Sequence, residues 1–386
     1  MPHLRDRLAL QLIKKRLGFF RVVSIQGARQ TGKSVLASKL LPALLPRAKT
    51  VTLDSKILRD EAQNYPDHFL EKYAAASPLI IDEAQKAGNL FDAVKLRVDR
   101  APHPGQYILL GSTEFSRQVM IRESLTGRLG RVRLLPLCYR ELIGLKNSWT
   151  LTRSAFMSLT ETGGLPGMAF VRAPEERRSL FEDWLQLVCY RDLQQFKKLQ
   201  LDGDLSFDIL RQVCLLPEPS AVELARKLRQ PGRRIQSHLM ALEQLFAIQK
   251  ISPHPAGAGK PIYLLLDSGL AHYFGADLSR RIQIVLLNEL LCEWTYYKQR
   301  RLCLFYYRSK SKRHIDLIAG ESADKGITAY QILDSENIPG QELEILKAFK
   351  AKVPKAQLKL LAPMPEASHS FKDIQIQPWE SAVFDY

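Results

Sequence analysis

The chain has 386 residues, 46% of them hydrophobic and 25% charged, which predicts a globular protein of two to four domains. It has no apolar run long enough to span a membrane, and its charged N-terminus is unlike a signal peptide. Five widely spaced cysteines and scattered histidines indicate neither a disulfide framework nor a zinc site, so a cytoplasmic location is expected. A net charge of +16 favours a polyanionic partner, nucleic acid before an anionic membrane surface.

The first predicted elements surround a glycine-containing loop. An amphipathic helix is predicted for residues 4–18, and the apolar run from Phe19 to Ile25 reads as a buried strand. Gly27–Ser34 then matches G-x-x-x-x-G-K-[ST] without a mismatch, and a helical pattern continues to Pro42. Strand, loop and helix together favour a triphosphate site over a purely structural turn.

Each part of the loop has an expected role. Lys33 is expected to reach the β- and γ-phosphates, and the Ser34 hydroxyl is expected to ligate Mg²⁺. The predicted nucleotide-binding residues of this stretch are Gly27, Ala28, Arg29, Gln30, Thr31, Gly32, Lys33, Ser34 and Val35.

Two acids end a later buried strand. A short strand over residues 50–54 is followed by a helical segment and then by the strand Pro78–Ile81, which leads into Asp82 and Glu83. Asp82 is expected to hold Mg²⁺, and Glu83 to orient and deprotonate the attacking water. The alternative, a surface acidic pair that caps the strand, is disfavoured by its position downstream of the loop.

Two further residues complete the predicted catalytic set. The strand Tyr107–Leu110 leads to Ser112, which is predicted to contact the γ-phosphate and the attacking water unless it belongs to an ordinary turn. Arg128 is predicted to neutralise the γ-phosphate, either in cis or in a neighbouring subunit, and a solvated arginine is the alternative. A strand over residues 132–137 closes this core.

The middle of the chain has a different pattern. Residues 151–200 are predicted to form a helical lid, and residues 205–275 three helices and a β-hairpin in the order of a winged helix-turn-helix. Arg233 and Arg234 lie near the start of the third helix and are expected to face outward with Gln236 and His238, as in helices that enter a major groove. A winged helix that contacts protein instead is the alternative.

A basic stretch with interleaved aromatic residues follows. Its basic residues are Lys298, Arg300, Arg301, Arg308, Lys310, Lys312 and Arg313, and its aromatic residues are Phe305, Tyr306 and Tyr307. This composition suits nucleic-acid backbone and bases, with contacts predicted at Arg308, Lys310, Lys312 and Arg313. A solvated hairpin with a buried aromatic strand is the alternative.

Several motifs together resemble a known family. They are Gly27–Ser34, Ile81–Lys86, Val98-Asp99, Leu110–Thr113, Leu125–Arg128 and Leu134–Leu137, continued by Gly163–Pro166, Tyr190–Leu193, Ile262-Tyr263, Asp267–Leu270 and Arg308. The chain resembles the AAA-type ATPases of archaea and bacteria that carry a C-terminal domain of unknown function with a restriction-endonuclease-like core. The resemblance implies ATP as the nucleotide.

The resemblance also implies a nuclease-like site, made of a helix glutamate, a strand acid and Glu-x-Lys on the next strand. Here the helix position is Asn288 or Glu289 and the strand acid is Asp316, but the last motif reads Gln331-Ile332-Leu333. Leucine cannot activate water, and glutamine is a poor Mg²⁺ ligand. We therefore expect a nuclease-like domain that does not cut.

The predicted fold is α/β, in four parts. They are a P-loop ATPase core with a parallel sheet (1–145), a helical lid (146–202), a winged helix (203–278) and a nuclease-like domain (279–386). We expect ATP hydrolysis with Mg²⁺ to control the last two parts on DNA. The alternatives are a signalling or chaperone-like switch acting on a protein, or a single-core helicase-like motor. The sequence leaves open whether the chain forms a homo-oligomer.

Overall fold

A computed structural model describes residues 4–73, 77–111, 125, 127–145, 151–196, 199–364, 369–371 and 373–383. The chain divides into two compact units: Met1–Leu137 with Gln244–Phe246 (unit 1), and Cys138–Glu243 with Ala247–Tyr386 (unit 2). Within the described residues, none of the helices combines the length and apolar character needed to cross a bilayer.

Unit 1 is an α/β domain around a five-stranded parallel sheet with the strand order β2-β3-β4-β1-β5. The strands are β1 (Val22–Gln26), β2 (Lys49–Thr52), β3 (Leu79–Asp82), β4 (Tyr107–Gly111) and β5 (Leu129–Arg133). The helices are α1 (Ala9–Leu17), α2 (Lys33–Val35), α3 (Leu41–Leu44), α4 (Lys56–Asn64), α5 (Pro66–Tyr73) and α6 (Leu90–Arg100). Strands β1, β3 and β4 are buried along their whole length, as expected of parallel strands covered on both faces.

Several boundaries differ from the predicted ones: α1 begins at Ala9 rather than at residue 4, and β2 ends at Thr52 rather than at residue 54. Strand β1 begins at Val22, and Phe19 is 77% exposed rather than part of a buried strand. The helix after the loop does not stop at Pro42, because a π-type turn (Leu36–Leu40) leads directly into α3, where the proline occupies the first turn and needs no amide partner. Strand β5 ends at Arg133, so the predicted strand over 132–137 lies too late in the chain.

Unit 2 begins with helices. They are α7 (Tyr139–Leu142), α8 (Arg153–Thr162), α9 (Pro166–Ala169), α10 (Pro174–Gln186), α11 (Gly203–Leu215), α12 (Ala221–Leu228) and α13 (Gly232–Gln244). The antiparallel hairpin of β6 (Ile248–Pro253) and β7 (Ile262–Leu265) follows, so three helices and a hairpin stand where the sequence predicts them. Ser220 caps α12 by accepting a hydrogen bond from the Glu223 amide.

The rest of unit 2 adds strands to the same hairpin. The elements are α14 (Ser268–Tyr273), α15 (Leu278–Cys292), β8 (Cys303–Arg308), β9 (His314–Gly320), β10 (Thr328–Ile332), α16 (Gly340–Lys352), β11 (Gln357–Ala362), β12 (His369–Phe371) and β13 (Ile374–Pro378). The sheet order is β12-β13-β11-β10-β9-β8-β6-β7, with β9 antiparallel to both its neighbours and β10 parallel to β11. Its core contains Tyr307, Ile318, Phe349 and Leu360.

A buried aspartate joins two of the short motifs within unit 2. Asp267 is 5% exposed, and its carboxylate accepts hydrogen bonds from the amides of Gly164 (2.8 Å), Leu165 (3.1 Å) and Leu270 (3.0 Å). A Cβ on Gly163 would lie 2.2 Å from an Asp267 oxygen, so only glycine fits there. These motifs therefore have a structural role, since they fasten the helical segment before α9 to the start of α14.

Candidate functional site

The glycine-containing loop lies at the carboxyl end of β1, between β4 and β5 in the sheet. Gln30 (φ +61°) and Gly32 (φ +92°) have left-handed backbone conformations, which turn the loop tightly before α2. A Cβ on Gly27 would lie 2.1 Å from the Leu134 carbonyl oxygen, so the start of the loop packs directly on the segment after β5. The sequence folds here as its motif predicts, with strand, loop and helix in order.

The loop lysine bonds to its own loop. Lys33 is 6% exposed, and its Nζ donates to the carbonyl oxygens of Gly27 (2.9 Å) and Ala28 (2.6 Å). Thr31 Oγ1 donates to the Ala28 oxygen as well, at 2.8 Å. The ammonium group therefore lies at the centre of the loop, where an anion held by the loop amides would meet it.

Asp82 lies at the same edge of the sheet. The parallel register pairs Thr52 with Asp82, so β2 and β3 both end on the side of the loop. Burial raises the pKa of Asp82. The rise is opposed by the Ser34 side chain and by the Glu83 amide, which donates to Oδ1 at 3.1 Å. The structure therefore brings together Ser34 and Asp82, the two oxygen ligands predicted for Mg²⁺.

Glu83 follows in a left-handed conformation (φ +56°), which is unusual for a residue with a side chain. Its carboxylate accepts a hydrogen bond from the side-chain amide of Gln85, and Lys86 forms an ion pair with Asp54, the acid after β2. Gln85 thus orients the Glu83 carboxylate, and Asp54 orients the Lys86 ammonium group. In the sequence, Asp54 is visible at the end of a predicted strand, and Gln85 is visible only as part of the motif Ile81–Lys86.

Arg7 is a further residue that the sequence did not single out. It lies before α1 and is 4% exposed, and its guanidinium donates to the carbonyl oxygens of Thr31 (2.6 Å) and Leu135 (2.6 Å). No motif marks this arginine, because its importance comes from a contact across 24 residues of chain.

Arg128 lies at the amino ends of the parallel strands, opposite the carboxyl ends where the loop and Asp82 lie. It precedes β5, whose first residue pairs with Val22 at the amino end of β1. A five-residue strand spans roughly 16 Å, and this length separates Arg128 from the loop. There its guanidinium forms two hydrogen bonds to Asp99, Nε to Oδ1 at 2.5 Å and Nη2 to Oδ2 at 2.9 Å. The cis alternative for Arg128 is therefore wrong for this arrangement, while a role in a neighbouring subunit stays a prediction. Ser112 lies outside the described residues.

The predicted nucleic-acid contacts in unit 2 divide into two groups. Arg308 forms an ion pair with Glu218 (2.9 Å), its side chain is 28% exposed, and its contact with nucleic acid stays a prediction. Arg313 is exposed and pairs with the exposed Glu344 (2.8 Å), and Lys310 and Lys312 are exposed between β8 and β9.

The aromatic residues of β8 do not form the predicted stacking surface. Tyr306 and Tyr307 are 3% and 1% exposed. The Tyr306 hydroxyl donates to the Lys260 carbonyl (2.8 Å), and the Tyr307 ring packs 5.1 Å from Phe349. Both rings are held inside the protein, and Phe305 is partly buried against the same core, so Tyr306 and Tyr307 match the alternative of a buried aromatic strand.

Both arginines near the start of helix α13 are exposed, as predicted. Arg234 also pairs with Asp202 (3.0 Å) and with Gln230 (3.0 Å). His238 is fully buried, with Nε2 accepting from the Asp202 amide (3.0 Å) and Nδ1 2.8 Å from the Arg234 oxygen, so its predicted outward position is wrong. A histidine at a helical position three or four residues from apolar Ile235 and Leu242 shares their buried face.

The acids of the expected nuclease-like site bond to backbone. Asp316 accepts from the Ile332 amide (2.8 Å), and the buried Glu289 accepts from the Tyr139 amide (2.7 Å). The hydrogen bond to Asp316 raises the pKa of His314, 3.5 Å away. Across the part of the chain that the structure describes, no three histidine, cysteine or acidic residues form a group able to hold a metal ion.

Comparison with known proteins agrees with the geometry of unit 1. Residues 20–143 match the AAA domain family. This match supports an AAA-type ATPase domain in that part of the chain, and covers the loop, Asp82 and Glu83. The uncharacterized proteins Rv2008c of Mycobacterium tuberculosis and Mb2031c of Mycobacterium bovis are each 26% identical over 314 residues, which cover 77% of this chain and 67% of theirs.

Two solved structures are distantly similar to the chain. The Walker-type ATPase PABY2304 of Pyrococcus abyssi has a TM-score of 0.46 and 16% identity, and the match covers 70% of this chain and 96% of that one. The signal transduction ATPase PH0952 of Pyrococcus horikoshii, which has a tetratricopeptide repeat sensor, has a TM-score of 0.28 and 17% identity over 76% of this chain and 46% of that one. At TM-scores below 0.5, neither likeness carries weight beyond the family match.

Proposed function

We propose that the chain binds and hydrolyses ATP at Gly27–Ser34. The observation that carries this proposal is that Asp82, at the end of its strand and with Glu83 next in the chain, lies at the same sheet edge as the loop whose carbonyl oxygens hold the Lys33 ammonium group. The loop amides would hold the phosphates, Lys33 would exchange its two carbonyl acceptors for phosphate oxygens, and Ser34 and Asp82 would hold Mg²⁺. Bound there, Mg²⁺ would supply charge neutralisation at the phosphates.

Glu83 is the proposed base that orients and deprotonates the attacking water. Its left-handed backbone turns the carboxylate out of the strand direction, and Gln85 holds that carboxylate by a hydrogen bond. An oriented carboxylate beside the phosphates is the group that this step requires.

Turnover and binding together test this proposal. Wild type should hydrolyse ATP with Mg²⁺, Lys33→Ala should lose tight ATP binding, and Glu83→Gln should bind ATP but hydrolyse it at least about a hundredfold more slowly. The matched control is Glu71→Gln, an exposed glutamate on α5, which should behave as wild type. Equal turnover by wild type and Glu83→Gln would show that Glu83 is not the base.

We propose DNA as the partner of unit 2, contacted by a winged helix-turn-helix of α11, α12, α13 and the hairpin β6–β7. The exposed Arg233 on α13 supports this, together with Lys310, Lys312 and the net charge of +16. Because Tyr306 and Tyr307 are buried and cannot stack on bases, the proposal is limited to contacts with phosphates and groove edges.

Binding to a fluorescent duplex across a range of salt concentrations tests the DNA proposal. Arg233→Gln and the double variant Lys310→Gln/Lys312→Gln should each weaken binding and reduce the slope of log K against log salt by about one for every phosphate that the variant no longer neutralises. Lys14→Gln, an exposed lysine of α1 in unit 1, is the control for loss of charge. Absence of duplex or single-strand binding at low salt would leave the protein-partner switch as the better function.

A further inference from the structure

We propose that Arg7 is a positioning residue of the phosphate loop, which fixes the direction of the loop amides that face the phosphates. The inference rests on the proposed ATP site. It concerns a residue outside every recognised motif, held by two short charge-assisted hydrogen bonds to main-chain oxygens.

Arg7 fixes the orientation of the peptide between Thr31 and Gly32. A trans peptide is planar, and its carbonyl and N–H point in opposite directions. The Arg7 guanidinium donates to the Thr31 oxygen at 2.6 Å. Since Arg7 is 4% exposed, this oxygen points toward the protein interior. The amide of Gly32 in the same peptide therefore points away from Arg7. Gly32 has a φ of +92°, so this peptide would rotate easily without an anchor.

The same guanidinium also bonds to the segment after β5, where Nη2 donates to the Leu135 carbonyl oxygen. The amide of the preceding Leu134 donates to the Gln26 oxygen at 2.6 Å, and the Leu134 carbonyl contacts Gly27. Arg7 thus joins the loop to a segment that is already fixed to the end of β1. Arg7 reaches the two oxygens with two different nitrogens held in one plane, Nη1 for Thr31 and Nη2 for Leu135, whereas a lysine would have to reach both from a single nitrogen.

Arg7 also places a buried positive charge behind the loop. This charge adds to the positive potential that draws phosphates, and burial limits its screening by water. Lys33 supplies the contact from within the loop, and Arg7 supplies a fixed charge behind it. Loss of Arg7 should therefore weaken phosphate binding in both ATP and ADP, whereas loss of Glu83 should affect turnover only.

The test compares nucleotide affinity among variants, using a fluorescent ATP analogue with Mg²⁺ and the corresponding ADP analogue. Arg7→Gln and Arg7→Lys should each weaken both affinities roughly tenfold or more, as expected when hydrogen bonds to a charged group are removed. Lys14→Gln, which removes an exposed charge nearby in the chain, should bind as wild type. Full affinity in Arg7→Lys would show that the charge suffices, and would overturn the bracing role.

Hydrogen exchange of the wild-type protein gives a second readout that needs no variant. Addition of the Mg²⁺–ATP analogue should slow exchange in residues 134–137 as well as in the loop, because Arg7 joins them. Protection of the loop alone would overturn the proposal. If the wild type bound no nucleotide, the proposed ATP site would fail; if wild type and Arg7→Gln bound it equally, only the role of Arg7 would fail.

Discussion

The buried carboxylate of Asp82 lowers the free energy of unfolding at neutral pH relative to an uncharged side chain at the same position. Burial is the largest cause of its raised pKa, and the hydrogen bonds from Ser34 and Glu83 and the charge of Lys33 only reduce the effect. Each pKa unit corresponds to about 1.4 kcal/mol of preference for the protonated form. We therefore expect Asp82→Asn to raise the stability of the protein measured without nucleotide at neutral pH.

The direction of the pH dependence follows from linkage. Below the ordinary aspartate pKa of 3.8 the carboxyl group is protonated in both states, so wild type and Asp82→Asn should unfold at similar temperatures. As the pH rises, the unfolded chain ionises first and the native protein loses stability until the pH passes the raised pKa. The stability that Asp82→Asn gains over wild type should thus grow from about pH 4 and then level off. Each kcal/mol of this gain should raise the thermal midpoint by about 3 °C.

Thermal unfolding with and without Mg²⁺–ATP separates stability from function. Wild type should gain stability from the nucleotide, and Asp82→Asn should gain much less, because a Mg²⁺ ligand is removed. The matched control is Asp60→Asn, an exposed aspartate on α4, which should show neither effect. Identical midpoints for wild type and Asp82→Asn from pH 4 to pH 8 would refute the reasoning from burial.

Three further outcomes are expected. Gly27→Ala should abolish nucleotide binding as judged by the fluorescent analogue, because its Cβ would lie 2.1 Å from the Leu134 oxygen; unchanged affinity would mean that this segment yields easily. Asp267→Ala should lower the free energy of unfolding by roughly 3 kcal/mol in denaturant titration, because buried amides lose their acceptor. Arg128→Gln should leave ATP affinity within about twofold of wild type, since the residue lies at the opposite edge of the sheet; a large loss in dilute protein would contradict that position.

The sequence predicted the strand, loop and helix around Gly27–Ser34 well, because the signals for this local fold are local in sequence. Gly27–Ser34 must turn sharply between a strand and a helix, and Asp82 and Glu83 must follow a strand that runs parallel to β1. The order of elements in unit 2 was also readable, since α11, α12 and α13 each show an apolar periodicity.

What the sequence could not show depends on distant partners. Arg7 was indistinguishable from any basic residue of the first segment, and Arg128 could be placed only once strand pairing located it beside Arg21 and Asp99. His238 was predicted to face outward, whereas the structure buries it against the Asp202 amide, and the ion pair of Arg308 with Glu218 could not be predicted from the sequence. Charge and pattern describe composition along the chain, whereas the contact between His238 and Asp202 crosses 36 residues.

The two hydrogen bonds that Lys33 makes within its loop compete with any ligand for the ammonium group. A ligand can bind this group only if its oxygens form stronger hydrogen bonds than the carbonyl oxygens of Gly27 and Ala28 that they replace. Neutral carbonyls are weaker acceptors than charged phosphate oxygens, and a chain of phosphates offers more of these than a single one. If the loop is the proposed ATP site, ligand charge should decide its affinity before any contact with a base, so nucleosides and monophosphates should compete poorly with a triphosphate.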